Sequence, residues 1–315
     1  MKKILKISAF VLVALFALVL LFAAYVQFAP MPVYEVKAPD LKIRPDSALI
    51  AEGRRIVMTD CIICHRGADD KLSGHLWGEN DMLGKLWSAN LTQHPDAGIG
   101  QYTDGELAFT LRTGIKRNGQ FAGPWMAFPL ISDEDVAAVI AFLRSDAPAV
   151  QPSERRQPPA QLAFPGKLFF KLIIRPNDYP QQPVKTPPAT DQIAWGRYLA
   201  TAKWACYRCH SASFETNNDL EPEKSAGYFG GGNPLEDGEH NKAVSANITS
   251  DPESGIGKWT RGQFADAVRY GKRPDGTSLN PIMPPMTVLT DAEIDALWAY
   301  LRTVPPVKNA GASIR

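Results

Sequence analysis

All four cysteines of this chain fall in two copies of one short pattern, Cys61-Ile-Ile-Cys64-His65 and Cys206-Tyr-Arg-Cys209-His210. Scattered disulfide cysteines have no reason to repeat that order, and a zinc site needs further Cys or His ligands grouped in space. CxxCH is instead the attachment pattern of c-type haem. One turn of chain sets both sulfurs along a porphyrin edge, where they form thioethers, and directs the following imidazole at the iron. A redox dithiol beside an unrelated histidine competes with this reading for a single copy. Two copies that use every cysteine favour two covalently bound haems.

Each motif heads a longer repeat. Residues 88–114 (SANLTQHPDAGIGQYTDGELAFTLRTG) align without a gap to 245–271 (SANITSDPESGIGKWTRGQFADAVRYG), placing Asn90 on Asn247, Gly98 on Gly255 and Tyr102 on Trp259. A capping signal opens a final helix in each copy, at Ser132-Asp-Glu-Asp and Thr290-Asp-Ala-Glu, and a short helical stretch (GRRIV, GRYLA) precedes each CxxCH. Each unit therefore reads helix, CxxCH, loop, helix, methionine loop, helix. The expected fold is all-α: an anchor at 1–30, a first domain at 45–147, a linker at 148–188 and a second domain at 189–308. The stretch from 145 to 190 contains ten prolines. Its apolar interlude LAFPGKLFFKLII is expected as a short amphipathic helix, packed between the domains in preference to lying on a membrane.

The sixth iron ligand separates electron transfer from chemistry, because methionine opposite histidine gives a saturated iron of raised potential. The repeat alignment sets Met126 opposite Met283, and the prolines after Met283 stiffen the backbone that presents it. Met286 is the second choice, and a methionine filling a core gap is the alternative at each site. His75, His94 and His240 read as loop residues. Asn90, Tyr102, Asn247 and Trp259 lie where a chain wraps a haem edge, either touching a propionate or holding the loop. Lys116, Arg117, Lys272 and Arg273 occupy equivalent loops; they read as solvated surface or as a face for an acidic redox partner.

From Ile7 to Tyr34 no side chain is formally charged, and ISAFVLVALFALVLLFAAYV has the roughly 20 residues needed to span a bilayer core. Ala29 is followed by Pro30, which disfavours cleavage there, so an uncleaved anchor is preferred over a removed signal. Lys2, Lys3 and Lys6 place the N-terminus in the cytoplasm and the remainder in the periplasm of a bacterial inner membrane. A net charge of +1 without long basic runs argues against nucleic acid as a partner.

These residues resemble the class I cytochrome c domains found in tandem in the cytochrome subunits of membrane-bound alcohol and gluconate dehydrogenases, and in related dihaem cytochromes. CIICH and CYRCH, SAN[LI]T, GIG followed by QYT or KWT, YFGGGNP and the closing AFLR and AYLR carry the likeness over residues 47 to 307, the linker excepted. It implies small all-α domains whose first and last helices cross beside the haem. Those subunits usually hold three haem domains where this chain has two, and Met126-Ala127 departs from the family's Met-Pro pair. The expected function is electron transfer rather than catalysis, between a quinol-oxidising complex or dehydrogenase and a terminal oxidase or soluble cytochrome. A subunit of a larger dehydrogenase differs from this only in its partners. A dihaem peroxidase or thiosulfate-oxidising enzyme is the alternative, but no fifth cysteine exists for the latter.

Overall fold

The protein is described from a computed structural model covering residues 2–236 and 242–312; His240 lies outside the described residues. Helix α1 spans Lys2–Phe28, and Val26 is its one fully buried residue. At 1.5 Å per residue it is about 40 Å long, enough to cross a membrane by length and composition.

The first repeat begins with α2 (Ser47–Ile56), whose N-cap Asp46 accepts from the Leu49 amide at 2.8 Å. One π turn, Val57–Cys61, ends on the first CxxCH cysteine and carries the chain into α3 (Ile62–His65), which holds the rest of the motif. Strands β1 (Leu76–Asn80) and β2 (Gly84–Trp87) follow, then α4 (Asp104–Thr113) and α5 (Asp133–Leu143). Helices α2 and α5 cross at Gly53, where an added Cβ would stand 1.8 Å from the Ala138 carbonyl oxygen.

Residues 148–188 form a strap bound to the first repeat rather than a loose connection. Strand β3 (Gln161–Leu162) pairs antiparallel with β2, so the fold is not purely helical. Asn80 explains the hairpin, since its side chain accepts from the amides of Met82 and Leu83 and turns the chain there. Proline-rich chain has carbonyls but few amides of its own, and side chains of the first repeat donate to them. Lys71 reaches the Pro152 carbonyl, and Asn90 those of Ser153 and Arg155. The apolar interlude is helical, as α6 (Phe164–Leu168) and a π turn to Ile173. It packs between the end of α1 and the first repeat, not between the two repeats.

The second repeat restates the order. Helix α7 (Gln192–Tyr198), a π turn (Leu199–Lys203) and α8 (Cys206–His210) lead to strands β4 (Pro234–Glu236) and β5 (Lys242–Val244), then α9 (Arg261–Tyr270) and α10 (Asp291–Leu301). Gly196 meets the Ala296 carbonyl as Gly53 meets Ala138. Ser132 and Thr290 cap α5 and α10 as expected. Two further capping boxes, Thr103 with Glu106 and Thr260 with Gln263, open α4 and α9.

Candidate functional site

In each repeat the CxxCH cysteines are three residues apart on one helical turn, which sets both thiols on one side. All four are free. Burial pushes the Cys61 and Cys206 thiols up to about 12, with the Asp60 carboxylate adding to the effect. Redox-active CxxC pairs depend on a lowered thiol pKa, so these are poor dithiol catalysts.

The two histidines are held identically. His65 Nδ1 lies 2.8 Å from the carbonyl of Ala89, and His210 Nδ1 lies 2.8 Å from that of Ala246. A carbonyl can only accept, so Nδ1 carries the proton and Nε2 keeps its lone pair for a metal. Burial holds both rings neutral, pushing His65 down to about 4 and lowering His210. The histidine carbonyls are tied too, each accepting from a glycine amide: Gly74 at 2.9 Å and Gly231 at 2.8 Å. Both glycines have positive φ, and an added Cβ would sit 2.3 Å from the Ser88 oxygen or 2.5 Å from the Ser245 oxygen.

The methionine loops correspond as closely. Met126 N bonds to Gly123 O at 3.1 Å, and Met283 N to Asn280 O at 2.9 Å, so each methionine closes a turn begun three residues earlier. Both side chains are partly buried. Met286, by contrast, is a core residue. Its amide donates to Val268 O on α9 as the Phe128 amide donates to Leu111 O on α4, and the extra proline in the second loop shifts the register by one. Met286 is thus the counterpart of Phe128, which leaves Met283 as the counterpart of Met126.

Asn90 and Asn247 spend their polar atoms on backbone. Each accepts from the amide two residues on, at 2.9 Å, and donates to the chain beyond its repeat's last helix: Ser153 and Arg155 for one, Val307 for the other. They hold the loop. Tyr102 and Trp259 are half-buried beside the core, and Arg117 lies over the Tyr102 ring. His75 contacts the Arg66 carbonyl, and His94 accepts from the amides of Asp96 and Ala97. Arg117 pairs with Glu106 at 3.0 Å; Lys116, Lys272 and Arg273 lie in two matching tight turns.

The repeats meet through one connected polar network that the sequence did not signal. Arg55 pairs with Glu293 and donates to the Val288 carbonyl at 3.0 Å and to Glu52 at 2.7 Å. Glu52 also pairs with Lys203, which reaches Asp135 at 3.2 Å. Tyr198 donates to Asp135 and accepts from the Ser132 amide at 3.0 Å. The charge of Asp60, which directly precedes the first motif, is felt at Cys61 and also at Cys206 and Cys209 of the second; burial pushes it up to about 7 against the pull of Lys203.

A neutral imidazole with a free Nε2 beside two thiols on one helical turn defines a haem-attachment class of site. Residues 50–146 match the cytochrome c family model, and this part of the chain is a cytochrome c domain, whose prosthetic group is covalently attached haem c with iron. The residues fit that group. The free thiols and the open Nε2 are what attachment and ligation require, and Trp204 Nε1 and Ser211 Oγ, flanking CYRCH, are buried without a partner among the described residues.

The chain is 29% identical over 271 residues to the fructose dehydrogenase cytochrome subunit of Gluconobacter japonicus, covering 82% of this chain and 53% of that protein. It is 27% identical over 278 residues to the cytochrome c subunit of the quinone alcohol dehydrogenase of Gluconacetobacter polyoxogenes, covering 83% and 57%. A diheme cytochrome c-type protein of Cereibacter sphaeroides is 28% identical over 278 residues, covering 82% and 86%. The chain therefore spans little more than half the length of the dehydrogenase-linked relatives.

Proposed function

We propose that this chain is a membrane-anchored dihaem c-type cytochrome that carries electrons on the periplasmic side of a bacterial inner membrane. The observation that carries the proposal is the repetition of the imidazole geometry: His65 on Ala89 and His210 on Ala246, both at 2.8 Å. A second CxxCH without a haem would have no reason to preserve that tautomer.

In this reading domain one covers 45–147, the strap 148–188 and domain two 189–308. Cys61 and Cys64 bind one haem and Cys206 and Cys209 the other. His65 with Met126 would hold one haem iron and His210 with Met283 the other. Once bound, the haems would supply one-electron chemistry; the chain holds each imidazole in one tautomer and orientation. Helix α1 is the anchor, with Lys2, Lys3 and Lys6 on the cytoplasmic side. The dehydrogenase-linked names of the relatives favour a dehydrogenase as electron donor, with a terminal oxidase or a soluble cytochrome as acceptor.

The haem-to-polypeptide ratio of purified protein tests this. Two covalent haems per chain, falling to one in Cys206→Ser/Cys209→Ser, is the expected result; one haem in the parent chain contradicts it.

A further inference from the structure

The end of α1 is held by the strap through lysines. Lys171, only 4% exposed, donates Nζ to the carbonyls of Tyr25 at 3.2 Å, Val26 at 2.8 Å and Ala29, and lies 5.6 Å from the Tyr25 ring centroid. Lys167 Nζ reaches the Gln27 carbonyl at 3.2 Å. Helix C-termini present carbonyls without intrahelical partners, and cations are favoured there. The strap helix is thereby fixed at one level on α1.

That level is set by the sequence. Lys6 is the last charge before the apolar run, and a bilayer core of roughly 30 Å takes up about 20 residues at 1.5 Å each. Counted from Ile7, the outer boundary falls at Val26, among the carbonyls that Lys171 holds. Leu172 and Ile173 follow Lys171 directly and are 43% and 67% exposed; nearby, Phe28 is 82% and Val33 70% exposed. Phe170 points the other way, into the first repeat, with its ring 6.1 Å from Phe121 and 5.9 Å from Trp125, the neighbour of Met126.

We infer that Phe164–Ile173 is a second membrane contact, seated at the headgroup–acyl boundary of the bilayer that α1 crosses, with Leu172, Ile173, Phe28 and Val33 in lipid. The inference rests on the anchor reading above. Lipid is the occupant because the exposed apolar side chains are continuous with α1 and lie at the depth where its apolar run ends. Phe170 then turns the Met126 loop of the first repeat toward the membrane.

The test uses the full haem-loaded chain carrying Ile173→Cys, labelled with a nitroxide and reconstituted in phosphatidylcholine vesicles. Glu221→Cys, at an exposed position of the second repeat, gives the aqueous reference. The expected result is a several-fold higher ratio of oxygen to water-soluble nickel-chelate collisions at 173 than at 221. Equal ratios in protein that resists carbonate extraction would overturn the inference and leave the anchor standing, with this face free for a protein partner. Release by carbonate would remove the anchor, and the inference with it.

Discussion

Arg55, on the first helix of the first repeat, is ion-paired to Glu293, the third residue of the last helix of the second. Exchanging the repeats gives Tyr198 on Asp135, and those two residues are hydrogen-bonded. The contact is reciprocal, as a pseudo-twofold axis between two copies of one fold requires. Glu52 and Lys203 join its two halves into a single network. The Glu293 side chain is 4% exposed, so removing Arg55 leaves a buried carboxylate uncompensated.

Arg55→Met is therefore expected to destabilise the haem-loaded protein by about 2 kcal/mol, below the usual loss for a broken buried pair because Arg55 keeps some solvent. Tyr198→Phe costs about 1 kcal/mol for the lost hydroxyl. Because both lie in one network, their effects should not add. Denaturant unfolding of the single and double variants measures the coupling; strict additivity would show that the two halves act separately.

The methionine assignment separates by readout. Met126→Ala and Met283→Ala should each convert one haem to a form that binds carbon monoxide. Met286→Ala should leave both spectra unchanged and lower stability by about 2–5 kcal/mol, the usual range for a truncated core methionine. Absorption spectra beside thermal unfolding distinguish the cases.

The two CxxCH helical turns and the caps at Ser132 and Thr290 were legible, because each is a local pattern repeated twice. What orients the histidines was not. The Ala89 and Ala246 carbonyls are backbone atoms, and alanine carries no chemical signal; only their place beside Asn90 and Asn247 marks them. The asparagines themselves turned to backbone because a haem-edge contact and a loop clamp ask for the same side chain. The hairpin was missed, since the stretch after the first CxxCH reads as loop in an all-α unit, although LWGENDMLGKLW carries the alternation and the Asn-Asp turn of a hairpin. The strap and the Arg55–Glu293 pair join residues far apart in sequence, and no local pattern reports such contacts.

Gly74→Ala and Gly231→Ala each force a side chain into positive φ and against a backbone oxygen within 2.5 Å. Strain of this kind costs about 1–2 kcal/mol before the clash is added. Either variant should loosen the loop that fixes the neighbouring imidazole, read as a raised affinity for added imidazole at that haem alone. Unchanged imidazole binding would dissociate the glycine from the site.

Asp60 is expected to make the potentials of the bound haems depend on pH. Its negative charge stabilises the oxidised form of a nearby haem, so midpoint potentials should fall as pH rises through about 7. Asp60→Asn should flatten that dependence. The same group affects stability. Its pKa is raised above the ordinary 3.8 to about 7 in the fold, so the native state holds a proton that the unfolded chain has released. The stability it contributes is complete below about pH 4 and is lost as pH rises through about 7. Potentiometric titration from pH 5 to 9 follows the first effect, and unfolding over the same range the second.

The central claim is that both irons are closed by a methionine and serve electron transfer. The most direct measurement is the absorption spectrum of the reduced protein before and after carbon monoxide is added. Two low-spin haems whose spectra do not change are predicted; a haem that is high-spin or takes up the gas would contradict the assignment for its repeat and turn attention to a catalytic iron.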